Sequence, residues 1–254
     1  LDRIQPVSLV DETLKVNIYG RSGSGKTTIA CTFPKPLLLI GLEDGTKSVY
    51  DVDGVDFVMI DKSSEISEIV EAINNGVVEY NTVVLDTLTA LSDRLLKEVL
   101  GLSELPAQLS WGVAKQQDWG QVALQAKEFV RAIVGLPTHV VILAQERDFN
   151  SDTDSEILQP CIASAVTPSV AGYLNPSLHS FVRSKVEETE TKIGSKTVKM
   201  NKKVGGVDYC ARTGPHEVYT TKFRTPKGSF LPDVLVDPDY DKIQSILAGK
   251  YKEE

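Results

Sequence analysis

The chain has 254 residues, 41% of them hydrophobic, enough for one large domain with a sizeable core. Its formal charge of −8 excludes a surface that coats nucleic acid throughout, so any phosphate backbone must meet a local basic patch.

Residues 1–13 show no clear hydrophobic period and read as an N-terminal arm. Leu14 to Tyr19 then form a buried strand that runs into Gly20-Arg21-Ser22-Gly23-Ser24-Gly25-Lys26-Thr27. This segment fills every position of the G-x-x-x-x-G-K-[ST] pattern, and the helix expected from Thr28 follows it directly. Glycines in such a loop let backbone N–H groups turn inward around a phosphate, and the following helix offers its positive N-terminus to the anion. Lys26 is placed to reach the β- and γ-phosphates, and Thr27 to supply a hydroxyl for Mg²⁺. A nucleoside triphosphate with Mg²⁺ is the expected ligand, with Gly20 to Thr28 as the binding segment.

Pro34 and Pro36 close the first helix, and Leu37 to Ile40 form a short, wholly apolar strand of the kind buried on both faces in a parallel sheet. Glu43 follows at the carboxyl end, the edge where open α/β sheets bind ligands. Val55 to Ile60 predict the next strand, and Ile66, Ile69, Val70 and Ile73 a helix capped by Ser64 and stopped at Asn75-Gly76. Thr82 to Leu85 again run apolar into an acid, Asp86, a pattern that brings a carboxylate out beside the metal that Thr27 serves. A helix from Leu88 to Leu100 precedes a predicted loop, Gly101 to Asp118, at whose end stand Trp111, Lys115 and Trp119. Another amphipathic helix and a buried strand, Val140 to Ala144, lead to Gln145-Glu146-Arg147. This alternation predicts a mostly parallel central sheet flanked by helices.

From Asp148 to Pro168 the pattern dissolves into polar residues and reads as a long loop. Beyond it, Ser180 to Glu187 alternate, Thr189 to Met200 suggest a hairpin around Gly194-Ser195, and Glu217 to Phe223 a further strand, together an antiparallel C-terminal extension. Tyr240, Ile243, Ile246 and Leu247 mark a closing helix. The domain reading is an arm over 1–13, an ATPase core over 14–232, and a C-terminal helix with a charged tail over 233–254. Cys31, Cys161 and Cys210 lack metal-ligand spacing, and no apolar run reaches the ~20 residues that span a bilayer. A cytoplasmic protein with no membrane partner is expected. His139, His179 and His216 are scattered and read as structural.

Taken in order, Gly20 to Thr27, Glu43 with the following Gly45-Thr46, Leu85-Asp86, and Gln145 resemble the RecA-like recombination ATPases, most nearly their minimal phage-encoded forms. That resemblance, over roughly Leu14 to Phe230, implies a RecA-like core that assembles with ATP between subunits, as a filament or ring. It implies single-stranded DNA as partner in recombination or annealing, a single-strand-binding protein as a further one, and a bacterial host carrying the phage. Under it Glu43 positions or deprotonates the attacking water, and Gln145 senses the γ-phosphate. Lys222 and Arg224 resemble paired cations that enter the neighbouring subunit's site. DNA-facing loops would fall near 101–118 and 146–168, offering Trp111, Lys115, Trp119 and Arg147. The predicted hairpin adds Lys196, Lys199, Lys202 and Lys203, which equally suit a solubilising surface. Two other readings compete: a P-loop kinase or phosphotransferase, and a regulatory or packaging ATPase acting on protein partners.

Overall fold

The computed structural model describes residues 13–43, 47, 49–105, 114–150, 156–161, 166, 172–193 and 196–252, with side chains excepted at 148–150, 156–157, 186–193 and 196–204. The arm over 1–12, Asp44 to Thr46, Trp111 and the Gly194-Ser195 turn lie outside those residues.

Among the described residues ten strands and five helices follow in the order β1 (Lys15–Tyr19), α1 (Lys26–Ala30), β2 (Leu37–Gly41), β3 (Val55–Met59), α2 (Ser64–Asn74), β4 (Thr82–Asp86), α3 (Leu88–Leu100), α4 (Gln116–Val134), β5 (His139–Ala144), β6 (Glu146–Asn150), β7 (Glu156–Pro160), β8 (Ser177–Ile193), β9 (Lys196–Arg212), β10 (Val234–Val236) and α5 (Tyr240–Leu247). The main sheet runs β10-β9-β8-β1-β5-β4-β2-β3. From β8 to β3 neighbours are parallel, and β9 and β10 add antiparallel strands. This is the fold class the sequence leads one to expect.

The short apolar strands are buried on both faces because successive side chains alternate across the sheet. Leu38, Ile40, Val83, Leu85, Val140 and Ile142 pack toward α2, α3 and α4. Leu37, Leu39, Val84, Val141 and Leu143 pack on the other side with Ile29 of α1 and Ile243 and Ile246 of α5. Local chemistry fixes the helix ends: the Thr87 hydroxyl accepts from the Ala90 N–H at the start of α3, and the Asp239 carboxylate from the Lys242 N–H at the start of α5.

Four sequence expectations change. Within the loop expected from Asp148 to Pro168, residues 148–150 and 156–160 are strand, because β6 and β7 pair as a separate two-stranded antiparallel sheet. Their register rests on long-range backbone bonds that a local period does not reveal, such as Leu158 N–H to Val218 C=O and Thr220 N–H to Leu158 C=O. Residues 217–223 form isolated bridges, Tyr219 beside Leu158 and Lys222 beside Ser177, and not a strand. Trp119 stands within α4 and Lys115 at its N-cap, so the loop expected to run to Asp118 ends at Lys115. Ser64 lies inside α2 and Ser63 takes the cap position without a side-chain cap bond, its hydroxyl given instead to Glu98.

The β8–β9 hairpin is longer than its sequence period suggests. β1 pairs with β8 only over Ser177–His179, and β10 with β9 only over Cys210–Arg212. Past a register shift between Ser184 and Val186, where Gly205 and Gly206 both take positive φ, the two strands continue as a ribbon from Val186↔Lys203 to Ile193↔Lys196.

Candidate active site

The phosphate loop hangs between β1 and α1, and its glycines are there for identifiable reasons. A Cβ on Gly20 would run into the Ser180 carbonyl of β8. Gly25 has φ +87°, and a Cβ there would lie 2.9 Å from Cδ1 of Tyr209. Lys26 is nearly buried, and its ammonium donates to the carbonyls of Gly20 and Arg21, both at 2.8 Å, with Oε1 of Gln145 at 3.5 Å. Burial lowers its pKa, while Asp86 and Glu146 pull it back up.

Asp86 ends β4, and its Oδ2 accepts from the Thr27 hydroxyl at 2.9 Å. Burial raises the Asp86 pKa, opposed by that hydrogen bond and by Lys26. The Leu42 N–H donates to the Asp86 carbonyl, extending the β2–β4 pairing one step past Gly41↔Asp86. Glu43 is the next residue, and it is exposed. Gln145 follows β5, the strand between β1 and β4, so the loop, the acid and the amide come from three adjacent strands.

One cavity of about 400 Å³ collects them: Ser22, Gly23, Gly25, Lys26, Thr27 and Thr28 of the loop, with Glu43, Asp86, Thr87, Gln145 and Tyr209. A triphosphate would find backbone amides and an ammonium here, and a hard cation the oxygen pair of Thr27 and Asp86. A family model described as an AAA domain matches residues 12–225. The chain belongs to that family. The AAA domain match spans the whole of this site, and with the complete phosphate loop it makes the protein a P-loop ATPase. Among solved structures, a KaiC-like protein from the hyperthermophilic archaeon Pyrococcus horikoshii OT3 is similar over 84% of this chain and 82% of its own, at 10% identity and a TM-score of 0.39. Among curated proteins none matches the sequence.

Other expected site residues of this AAA domain lie elsewhere. Gly20, Arg21 and Ser24 do not line the cavity. Arg21 reaches outward to Glu146, Nε to Oε1 at 2.6 Å, and the Ser24 carbonyl accepts from the Ser180 hydroxyl. The Lys222 ammonium donates to the Leu174 carbonyl and the Arg224 N–H to Asn175, neither residue lining the cavity of its own chain. Arg147 is half-buried on β6, with Nε buried and unpartnered. The side chains of Lys196, Lys199, Lys202 and Lys203 lie outside the described residues, but the strand register sets Glu190 opposite Lys199 and Glu187 opposite Lys202. The hairpin is therefore of mixed charge at those rungs, not a row of unopposed cations.

Two residues near the loop escape the sequence reading. Tyr209 lies more than 180 positions after the motif and shows itself only in the alternation of β9. His179 is no bystander: its Nε2 lies 2.7 Å from Oε2 of the same Glu146 that holds Arg21.

Proposed function

We propose that the protein is a Mg²⁺-dependent, RecA-like ATPase that assembles with ATP between subunits and works on single-stranded DNA in recombination or strand annealing. The observation that carries the ATPase chemistry is the convergence of Lys26, the Thr27–Asp86 pair, Glu43 and Gln145 on one cavity. Lys26 and the loop amides bind and orient the triphosphate. Thr27 and Asp86 hold Mg²⁺, which when bound neutralises charge on the phosphate oxygens. Glu43, exposed at the cavity wall, accepts a proton from the attacking water or orients it.

Gln145 carries the phosphate state outward. Its N–H donates to the Thr89 hydroxyl, which donates to the Cys161 carbonyl, and the Cys161 N–H returns to the Gln145 carbonyl. A shift of the Gln145 amide toward a phosphate is thereby felt where β6 begins and β7 ends, the strand pair we assign to DNA together with the lysines of β9. Assembly is supported by Val182, Val207 and Tyr209, which share one exposed apolar face of β8 and β9 beside the loop. Lys222 and Arg224, outside their own cavity, are assigned to a neighbour's.

Retention of single-stranded DNA on filters, with and without a nonhydrolysable ATP analogue, tests the reading. Binding is expected to rise with nucleotide. Replacing Lys196, Lys199, Lys202 and Lys203 by Gln should weaken it and flatten its salt dependence, since fewer counterions are released. Nucleotide-independent or absent DNA binding would sink the DNA role and leave the ATPase alone.

A further inference from the structure

The phosphate loop has open space on both faces. In front of it lies the phosphate cavity, and behind it a second cavity of about 320 Å³, lined by Arg21, Ser22 and Ser24 of the loop and, across from them, by Glu146, His179 and Tyr219. A loop with room on either side is not wedged by packing, so its position depends on polar tethers. One comes from β8, where the Ser180 hydroxyl donates to the Ser24 carbonyl. The others come from three consecutive residues. The Gly20 N–H donates to the Ala144 carbonyl at 3.3 Å, the Lys26 ammonium lies 3.5 Å from Oε1 of Gln145, and Nε of Arg21 donates to Oε1 of Glu146 at 2.6 Å. Gln145 lines the cavity in front and Glu146 the one behind, as alternation along an extended segment requires, so two adjacent residues hold the loop from opposite sides.

Of these tethers the Arg21–Glu146 bond is the shortest among the three, and it joins opposite charges. The carboxylate is itself fixed: its side chain is 9% exposed, and Oε2 accepts from Nε2 of His179, whose ring stacks on Tyr219 with centroids 4.1 Å apart. We propose that Glu146 is a positioning residue for ATP binding, fixing through Arg21 the part of the loop on which the Lys26 ammonium rests. The proposal rests on the phosphate-loop reading and adds to it a residue that the loop motif does not contain. The Arg21 carbonyl accepts from that ammonium at 2.8 Å, so a loop anchored at Arg21 keeps Lys26 in place before a phosphate arrives. Without the anchor the loop samples other positions, and ATP binding must then meet the cost of ordering it. Bound phosphates order the loop themselves, which spares the chemical step. Simple charge gives the opposite sign, because deleting a carboxylate beside a polyanion site would tighten ATP.

Calorimetric titration with a nonhydrolysable ATP analogue, alongside steady-state kcat, tests this in Glu146→Ala, Glu146→Gln, Arg21→Ala and the double variant Glu146→Ala, Arg21→Ala. Glu146→Ala is expected to weaken binding by about 5- to 10-fold, with kcat at saturating ATP within about twofold of the wild type. Glu146→Gln keeps an acceptor for Arg21 and should fall between the two. Arg21→Ala should weaken binding as Glu146→Ala does, and the double variant no further, since each change removes the same tether. Unchanged or tighter binding in Glu146→Ala overturns the proposal. Additive losses do so too, because Arg21 would then act on the phosphates by its own charge. A lower kcat at unchanged affinity also overturns it, marking a loss of folded protein and not of loop order. If Glu146→Ala does not fold, the same cycle built on Glu146→Gln decides by the same criteria. A wild type that binds no analogue overturns the phosphate-loop reading itself, and the positioning role with it.

Discussion

Lys26 and Glu43 line the same cavity but do different work, and substitution separates them. Lys26→Ala removes the one ammonium that reaches into the loop, where burial already disfavours its charge unless an anion compensates. ATP binding should fall below detection in calorimetry while the circular dichroism spectrum stays that of the wild type. Wild-type affinity would end the phosphate-loop assignment. Glu43→Gln keeps the size of the side chain and loses the proton acceptor. It should bind ATP normally and turn it over roughly 10²-fold more slowly in single-turnover assays; normal turnover would place water activation elsewhere. At this scale much was legible. The loop, Glu43, Asp86 and Gln145 each follow an apolar run, which marks the strand ends, and the family resemblance singled out Glu43 and Gln145 there. Tyr209 and Glu146 matter through neighbours far off in sequence, a relation that no local spacing records.

Elements meet at Glu146, the first residue of β6, which grips Arg21 of the phosphate loop and His179 of β8. Burial lowers the His179 pKa, and the carboxylate recovers only part of that, so the ring is neutral and donates its Nε2–H to Glu146. Its Nδ1 is then a buried acceptor without a partner. Burial alone would raise Glu146, but the hydrogen bonds from His179 and Arg21 outweigh it and hold its pKa below the usual value. Both shifts act in one direction. The unfolded chain takes up a proton at an ordinary histidine near pH 6.5, which the folded chain resists, so stability is full above that pH and falls as the pH drops through it. Glu146 adds a further loss below about pH 4.5. Urea midpoints should therefore drop between pH 7.5 and 5.5, and His179→Gln should flatten the drop; an equal slope would clear His179 of the effect. None of this clasp could be read from the chain, since β6 and β7 are short strands that pair with each other across a sequence gap, and Leu158 of β7 bonds to the distant Val218 and Thr220.

For the molecule as a whole, the sheet order places β5 between the loop strand and the Asp86 strand, and nothing on those strands supplies a second cation to the cavity. Among the described residues no helix is long and apolar enough to cross a membrane. If Lys222 and Arg224 complete a neighbour's site, the double variant Lys222→Ala, Arg224→Ala should bind ATP yet fail to hydrolyse it. Mixing it with Lys26→Ala should restore activity above either parent, because some interfaces then pair an intact loop with intact cations. Co-assembly without recovery, with light scattering as the check on assembly, would return the pair to ordinary surface charge. The layered core was foreseeable from strand and helix periods; the extent of β8 and β9 was not, because Gly205-Gly206 breaks the alternation where the ribbon leaves the sheet. That ribbon has a mechanical consequence. From Val186 to Ile193 it extends about 23 Å at ~3.3 Å per residue, rooted at a bulge only a few residues from His179 and Tyr209. A turn of about 20° at the bulge would sweep its outer end through roughly 8 Å.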